Sequence, residues 1–209
     1  MSARELLHRY LDVCPLVAII RGVRPDEAEA IGDAILEAGI RIIEVPLNSP
    51  DPLSSIERLA MKFGDSVLVG AGTVLDPADV GRVRESGGRI IVSPDTNPDV
   101  IAATASAGMV ASPGYFTPSE AFMAIRAGAT VLKLFPAEAA TPTVLRAQLA
   151  VIPKNVPIMV VGGVKPDTMR SWLDAGATGF GLGGGLYKPG QTPADTLAKA
   201  QAFVAGLRG

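Results

Sequence analysis

Cysteine and histidine are almost missing from this sequence, which has one of each among 209 residues. Cys14 alone cannot form a disulfide within the chain. A zinc site would be hard to assemble from His8 and Cys14, and His8 lies in an amphipathic pattern that favours a solvated helix residue. We therefore expect neither a disulfide framework nor a metal site.

An excess of one charge and long apolar runs are missing as well. The 19 basic and 21 acidic side chains give a net charge of -2 without a clustered basic face, which argues against nucleic acid as a partner. Glycine, proline or a charge interrupts every apolar run well before the roughly 20 residues of a membrane span. The first segment, MSARELLHRYLDV, has charges where a secretory signal needs an apolar core. We expect a cytoplasmic protein.

What the sequence does contain is a repeated alternation of short apolar runs and helical patterns. The runs are LVAII (16–20), RIIEV (41–45), VLVGA (67–71), RIIVS (89–93), MVASP (109–113), TVLKLF (130–135), PIMVV (157–161) and TGFGL (178–182). Proline beside an acidic or hydroxyl residue opens the helical segments, and turns such as AGI and AGA close them.

This alternation predicts the fold. Strict alternation of strand and helix with near-continuous apolar strands is typical of a parallel sheet buried on both faces. Eight repeats close such a sheet most simply as an α/β fold of the (β/α)8 TIM barrel type, here preceded by a short N-terminal helix. The length predicts a single domain over residues 1–209. A doubly wound open sheet is the competing fold.

Two charged residues near strand ends are the catalytic candidates, since barrel chemistry lies at the carboxyl ends of the strands. Lys133 interrupts TVLKLF. Its ammonium either reaches solvent or pairs structurally, or its apolar neighbours desolvate the amine and make it a nucleophile towards a carbonyl. Glu44 ends the second strand among isoleucines and valine. It is either a structural ion-pair partner or the proton shuttle that Schiff-base chemistry needs.

Four further residues are candidates for substrate binding. Arg21, at the top of the first strand, has a planar fork that suits a substrate carboxylate, or it is an exposed rim charge. Thr73 in GAGTV either donates a hydrogen bond to the same group or caps a helix. The other two candidates for substrate binding are Pro113 and Phe135, at the ends of the fifth and sixth strands.

Two glycine clusters, VVGGV at 160–164 and FGLGGG at 180–185, follow the last two strands. Tight turns with positive φ explain isolated glycines, but they explain two clusters on adjacent loops less well. In barrels these two loops often bind phosphate through backbone N–H groups. The phosphate-binding candidates are therefore Gly162, Gly163, Gly183 and Gly184.

At these residues the chain resembles the class I aldolases that cleave 2-keto-3-deoxy-6-phospho sugar acids. The resemblance runs from about residue 16 to 190 and is carried by EVPLNSP, GAGTVL, LKLFPAEA and VGGV together. It implies that Lys133 is the Schiff-base lysine and Glu44 the acid–base residue, with Arg21 and Thr73 on the substrate. It also implies pyruvate and D-glyceraldehyde 3-phosphate as products, no metal or organic cofactor, and a homotrimer.

Two details refine the resemblance. Gluconate-type members of the family have an arginine shortly after the catalytic glutamate, whereas this chain has PLNSP there and an arginine at Arg21. It therefore resembles the branch that acts on 2-dehydro-3-deoxy-6-phosphogalactonate. Similar proteins often have a serine where this chain has Gly184, so a backbone donor or a water would replace that hydroxyl.

Three alternatives stay open at the level of sequence. The substrate could be the gluconate epimer, or both epimers. The protein could instead be a non-catalytic barrel that binds a phosphorylated ligand, with Lys133 and Glu44 as a structural ion pair. A phosphate-binding barrel isomerase or synthase is the third, although its metal-using forms need carboxylate or histidine clusters that these strand ends lack.

Overall fold

The structure is a computed structural model that describes residues 1–208. Its strands are β1 (Leu16–Ile19), β2 (Ile42–Pro46), β3 (Leu68–Gly72), β4 (Ile90–Val92), β5 (Val110–Ser112), β6 (Gly114–Tyr115), β7 (Leu132–Leu134), β8 (Ile158–Val161) and β9 (Gly179–Leu182). Its α-helices are α1 (Ala3–Leu11), α2 (Pro25–Glu37), α3 (Pro52–Phe63), α4 (Pro77–Glu85), α5 (Pro98–Ser106), α6 (Pro118–Ala127), α7 (Pro142–Leu149), α8 (Met169–Asp174) and α9 (Pro193–Gly206). Short 3₁₀ helices cover Gly64–Ser66, Ala137–Ala139 and Pro166–Thr168.

The strands form one parallel sheet in the order β5-β4-β3-β2-β1-β9-β8-β7-β6. The two ends of this order, β5 and β6, are consecutive pieces of chain separated only by Pro113. The carbonyl of Ala111 accepts the Thr130 N–H at 2.9 Å, and the carbonyl of Pro113 accepts the Lys133 N–H at 2.9 Å. The fifth predicted strand therefore joins β4 to β7, and the predicted barrel with its N-terminal helix is confirmed.

The fifth strand differs from the prediction because it is divided in two. Pro113 lacks the N–H that a strand residue gives to the ladder, so regular pairing stops there and resumes at Gly114. A Cβ at Gly114 would lie 2.2 Å from the carbonyl oxygen of Pro94, which shows how closely the chain approaches the neighbouring strand end at this point.

The helix boundaries follow the local sequence signals. Every α-helix from α2 to α7, and α9, begins with proline at its first position, where a missing N–H is harmless. The glycines of the predicted closing turns all adopt positive φ, which an L side chain rarely does; they are Gly39, Gly87, Gly108, Gly128 and Gly176.

Helix α1 closes the amino end of the barrel. Ser2 and Glu5 form a capping box at its start. Its buried side chains, including Leu7 and Leu11, join one apolar cluster with inward-facing strand residues such as Val17. The floor of the barrel is therefore apolar. No helix within residues 1–208 is long and apolar enough to cross a membrane.

Candidate active site

Strand alternation places Lys133 inside the barrel. Successive side chains of a strand point to opposite faces. Leu132 and Leu134 belong to the apolar cluster that the helices cover, whereas Val131 belongs to the inner cluster above α1. Lys133 therefore projects inward, where it is 7% exposed. Its Nζ lies 4.7 Å from the centroid of the Phe135 ring, a cation–π distance.

The surroundings of Lys133 favour the neutral amine more than water does. Burial lowers the pKa of the Lys133 ammonium, the positive charge of Arg21 lowers it further, and Glu44 partly opposes both. Only the neutral amine can attack a carbonyl carbon, so a lowered pKa increases the reactive fraction at neutral pH.

Glu44 lies inside the same barrel at 2% exposure. Burial raises the pKa of its carboxyl to about 7, against the opposing effects of Lys133 and Arg21. A group with a pKa near neutrality both gives and accepts protons readily. Its Oε2 is buried and has no hydrogen-bond partner among the described residues.

The structural ion pair that the sequence left open does not form. Within residues 1–208, no lysine or arginine nitrogen lies within 4.0 Å of a Glu44 carboxylate oxygen. The carboxyl and the amine of Lys133 are close enough to influence each other's pKa, yet neither group neutralises the other by direct contact. Space is thus left between them.

Room for the Glu44 carboxyl comes from a glycine on the next strand. Gly72 is the last residue of β3, which pairs with β2. A Cβ on Gly72 would lie 1.6 Å from Oε2 of Glu44, far inside any contact distance. The glycine of GAGTV therefore makes the space in which the carboxyl lies.

Arg21 and Thr73 meet at the rim of the barrel. The Arg21 guanidinium donates from Nη1 to Oδ1 of Asn48 and from Nη2 to Oγ1 of Thr73, the latter at 3.4 Å. Thr73 has φ +56, which is unusual for a β-branched residue and is typical of functional positions. It does not cap α4, because the N-cap of that helix is Asp76.

The two glycine clusters have different structural reasons. Gly162 and Gly163 both have positive φ, and a Cβ on Gly162 would lie 2.1 Å from Oε2 of Glu138. Backbone conformation and a neighbouring side chain thus require these two glycines. Neither constraint applies to Gly183 and Gly184, because neither has positive φ and a Cβ on either would meet no atom within 4 Å. Their lack of a side chain leaves open space at the rim.

One cavity of about 520 Å³ collects most of the predicted residues at the carboxyl end of the strands. Nine of the ten line it: Arg21, Glu44, Thr73, Lys133, Phe135, Gly162, Gly163, Gly183 and Gly184. Pro113 is the exception; it is buried in the wall, where its carbonyl holds the Lys133 backbone. Among residues 1–208, no three His, Cys, Asp or Glu side chains are grouped so that they could hold a metal ion.

An amine and a carboxyl of this kind, in a cavity with an arginine and glycine loops, suit reactions of phosphorylated keto acids. The chain matches the KDPG and KHG aldolase family over residues 7–200. It therefore belongs to that family.

Individual relatives agree with this assignment. The aldolase is 43% identical over 194 residues to a protein of Escherichia coli (strain K12) named "2-dehydro-3-deoxy-6-phosphogalactonate aldolase", which covers 93% of this chain and 95% of the relative. It is 46% identical over 191 residues to a protein of Rhizobium meliloti (strain 1021) named "Probable 2-dehydro-3-deoxy-6-phosphogalactonate aldolase", covering 91% and 90%. A solved structure titled "Native KDPGal structure" matches it with a TM-score of 0.91 at 43% identity, over 93% of this chain and 94% of that one.

The aldolase also has cavity residues that the sequence did not single out. The additional lining residues include Pro94, Glu138, Lys165, Tyr187 and Lys188. Each lysine lies within three residues of the end of a glycine cluster, in GGVK and GLYK, so its position was available as a signal. Asn48 stands four residues after Glu44 and was missed because a polar residue in a loop is unremarkable until its partner is known.

Proposed function

We propose that this aldolase cleaves 2-dehydro-3-deoxy-6-phosphogalactonate to pyruvate and D-glyceraldehyde 3-phosphate through a Schiff base on Lys133. The observation that carries the proposal is the buried, unpaired arrangement of Lys133 and Glu44 in one cavity. The choice of substrate is based on the names of the two relatives and on the absence of an arginine from PLNSP.

The first half of the reaction makes the electron acceptor. The neutral amine of Lys133 adds to the C2 carbonyl carbon and forms a carbinolamine. Glu44 gives its proton to the carbinolamine hydroxyl, which leaves as water, and an iminium remains. The pKa of about 7 suits Glu44 to this step, because an appreciable fraction of the carboxyl is protonated at neutral pH.

The second half breaks the carbon–carbon bond. Glu44, now a carboxylate, removes the proton of the C4 hydroxyl, and a carbonyl forms at C4 as the C3–C4 bond breaks. The bonding electrons pass into the iminium, which becomes an enamine. After the aldehyde departs, C3 takes a proton from Glu44. Water then hydrolyses the new iminium, which releases pyruvate, restores the neutral amine and returns a proton to the Glu44 carboxylate.

The remaining cavity residues suit the two ends of the substrate. The Arg21 fork, near Lys133, can hold the C1 carboxylate in a two-pronged, charge-assisted contact. Thr73 lies beside the fork and can donate to the same group. The open loop at Gly183 and Gly184 leaves backbone N–H groups accessible to the phosphate. The Phe135 ring lies beside the Lys133 amine and would form an apolar wall next to a carbonyl carbon bound there.

Borohydride trapping tests the Schiff base. Reduction in the presence of pyruvate should add one reduced pyruvate unit to the intact mass, on the peptide that contains Lys133. Lys133→Ala, and wild type reduced without pyruvate, are the controls. A wild-type enzyme that cleaves substrate but is never trapped would exclude the covalent mechanism.

Cleavage of the two C4 epimers tests the substrate. We expect both to be cleaved with preference for the galactonate epimer, since one inverted hydroxyl changes binding modestly unless its partners are buried and left unpaired. The measurement is the ratio of kcat/KM values. A ratio that favours the gluconate epimer would overturn the substrate assignment.

We also propose that the aldolase is a homotrimer located in the cytoplasm. The trimer rests on the family resemblance alone. Light scattering coupled to size-exclusion chromatography should give a mass three times that of the 21.6 kDa chain. A monomer or dimer at micromolar concentration would refute it.

A further inference from the structure

The Arg21 guanidinium is held by two uncharged acceptors. One is the side-chain oxygen of Asn48, and the other is the hydroxyl oxygen of Thr73. Within residues 1–208, no carboxylate oxygen lies within 4.0 Å of the Arg21 side chain. The two acceptors therefore orient the guanidinium without forming a direct ion pair with it.

The loop that carries Asn48 is anchored to the loop that carries Arg21. The hydroxyl of Ser49, which is buried, accepts the N–H of Gly22 at 2.9 Å. Asn48 itself is exposed and is not among the cavity-lining residues. It therefore contacts the arginine without lining the cavity, and the neighbouring Ser49 ties its loop to that of Arg21.

We propose that Asn48 is a positioning residue that aims the Arg21 fork at the substrate carboxylate and, because it is an amide, leaves the charge of that fork free. The proposal rests on the proposed function, in which Arg21 binds the carboxylate. Aspartate at position 48 would have the same shape and would accept the same hydrogen bond. It would also place a negative charge on the guanidinium and compete with the substrate.

Pyruvate alone suffices for the test, because enamine formation exchanges the methyl protons of pyruvate with deuterium in D₂O. The exchange is followed by proton NMR and gives a KM and a kcat. In Asn48→Ala we expect the KM for pyruvate to rise about tenfold, the typical effect of one misplaced charge-assisted contact, with kcat within about twofold of wild type. An unchanged KM would overturn the proposal.

Two comparisons separate positioning from general loosening of the loop. Ser49→Ala removes the neighbouring tie between the same loops without touching the guanidinium, so we expect its KM to rise less than that of Asn48→Ala. Exchange of pyruvamide, which lacks the carboxylate, should be equal in wild type and Asn48→Ala. An equal rise in Ser49→Ala, or an equal loss with pyruvamide, would assign the effect to loop structure and refute positioning.

Asn48→Asp tests the need for an uncharged amide. It keeps the acceptor and adds a charge, so we expect a KM for pyruvate at least as high as that of Asn48→Ala. Wild-type behaviour of Asn48→Asp would overturn the claim that the free charge matters. If wild type exchanges no pyruvate protons, the proposed function itself fails; if it does exchange them and Asn48→Ala is normal, only this inference fails.

Discussion

The Cβ that Gly72 lacks would lie 1.6 Å from Oε2 of Glu44, so the carboxyl occupies the volume of a missing side chain. Any side chain at position 72 would therefore displace the carboxyl. The position of the carboxyl, and with it the proposed proton transfers, therefore depends on a glycine of β3.

We expect Gly72→Ala to lower kcat by on the order of 10²-fold, because displacing a reacting group by about 1 Å has an effect of that size. Overpacking should also lower the free energy of unfolding by about 1–3 kcal/mol. Gly81→Ala is the matched control: Gly81 lies within α4, and its Cβ would meet nothing within 4 Å. The control should keep full activity and gain up to about 1 kcal/mol. Normal turnover in Gly72→Ala would show that the carboxyl position is unimportant.

Lys133→Ala should abolish cleavage and borohydride trapping without lowering the melting temperature. A buried ammonium is costly to the folded state, so its removal offsets the packing that is lost. Lys154→Ala, at an exposed loop position, serves as the control for the loss of a lysine charge. Near-wild-type turnover in a folded Lys133→Ala protein would rule out the Schiff base at this residue.

Glu44 should make the folded protein less stable as pH rises. Burial raises the pKa of its carboxyl to about 7, from 4.5 for a carboxyl in water. Between these pH values the folded protein keeps a proton that the unfolded chain has released, so the free energy of unfolding falls as pH increases through this window, by about 3 kcal/mol in total. Above pH 7 this contribution is constant.

Glu44→Gln removes that titration. The difference in unfolding free energy between Glu44→Gln and wild type should therefore grow in favour of the variant from about pH 4.5 to 7, measured by denaturant titration at each pH. Glu57→Gln, at an exposed site, controls for a surface charge change. A pH-independent difference would show that Glu44 has an ordinary pKa.

In activity assays, Glu44→Gln should lose about 10²–10⁴-fold in kcat.

The glycine loops should respond differently to substitution. Position 184 has free space and an unstrained backbone, so we expect the hydroxyl added by Gly184→Ser to tighten inhibition by inorganic phosphate about tenfold.

Position 162 has positive φ, and a Cβ there would clash with Glu138, so Gly162→Ala should destabilise the fold by about 1–3 kcal/mol. Weaker phosphate inhibition in Gly184→Ser would place the phosphate elsewhere, and a fully stable Gly162→Ala would contradict the strain.

Much of the fold and the centre of the site could be predicted because the signals are local. Each signal is contained in a short stretch of sequence: an apolar run, a proline at a helix start or a glycine at a helix end. A charge such as Lys133 within an apolar strand is equally easy to recognise. Contacts between distant residues could not be read this way. The tie between Arg21 and Asn48 joins two loops 27 residues apart, and the fit of Glu138 against Gly162 depends on how two strand ends approach each other.

Pro113 shows the limit of reasoning from strand ends. Its place at the end of the fifth run favoured a substrate contact. Proline interrupts the strand, however, and Pro113 is buried in the barrel wall. Pro94, after the fourth run, lines the cavity instead. The position of a residue along a strand predicts its level along the barrel axis. It does not predict whether the side chain points into the cavity.

The apolar floor made by α1 ties the reactivity of the lysine to the completion of the chain. Leu7 and Leu11 border the small interior space just below Lys133 and Glu44, together with Val161 of β8. A growing chain has α1 first, but it lacks the later strands on which that helix rests. We therefore expect the helix to settle late in folding. Until then water reaches the lysine from below and its amine stays protonated, so an unfinished or partly unfolded chain carries no unusually reactive amine.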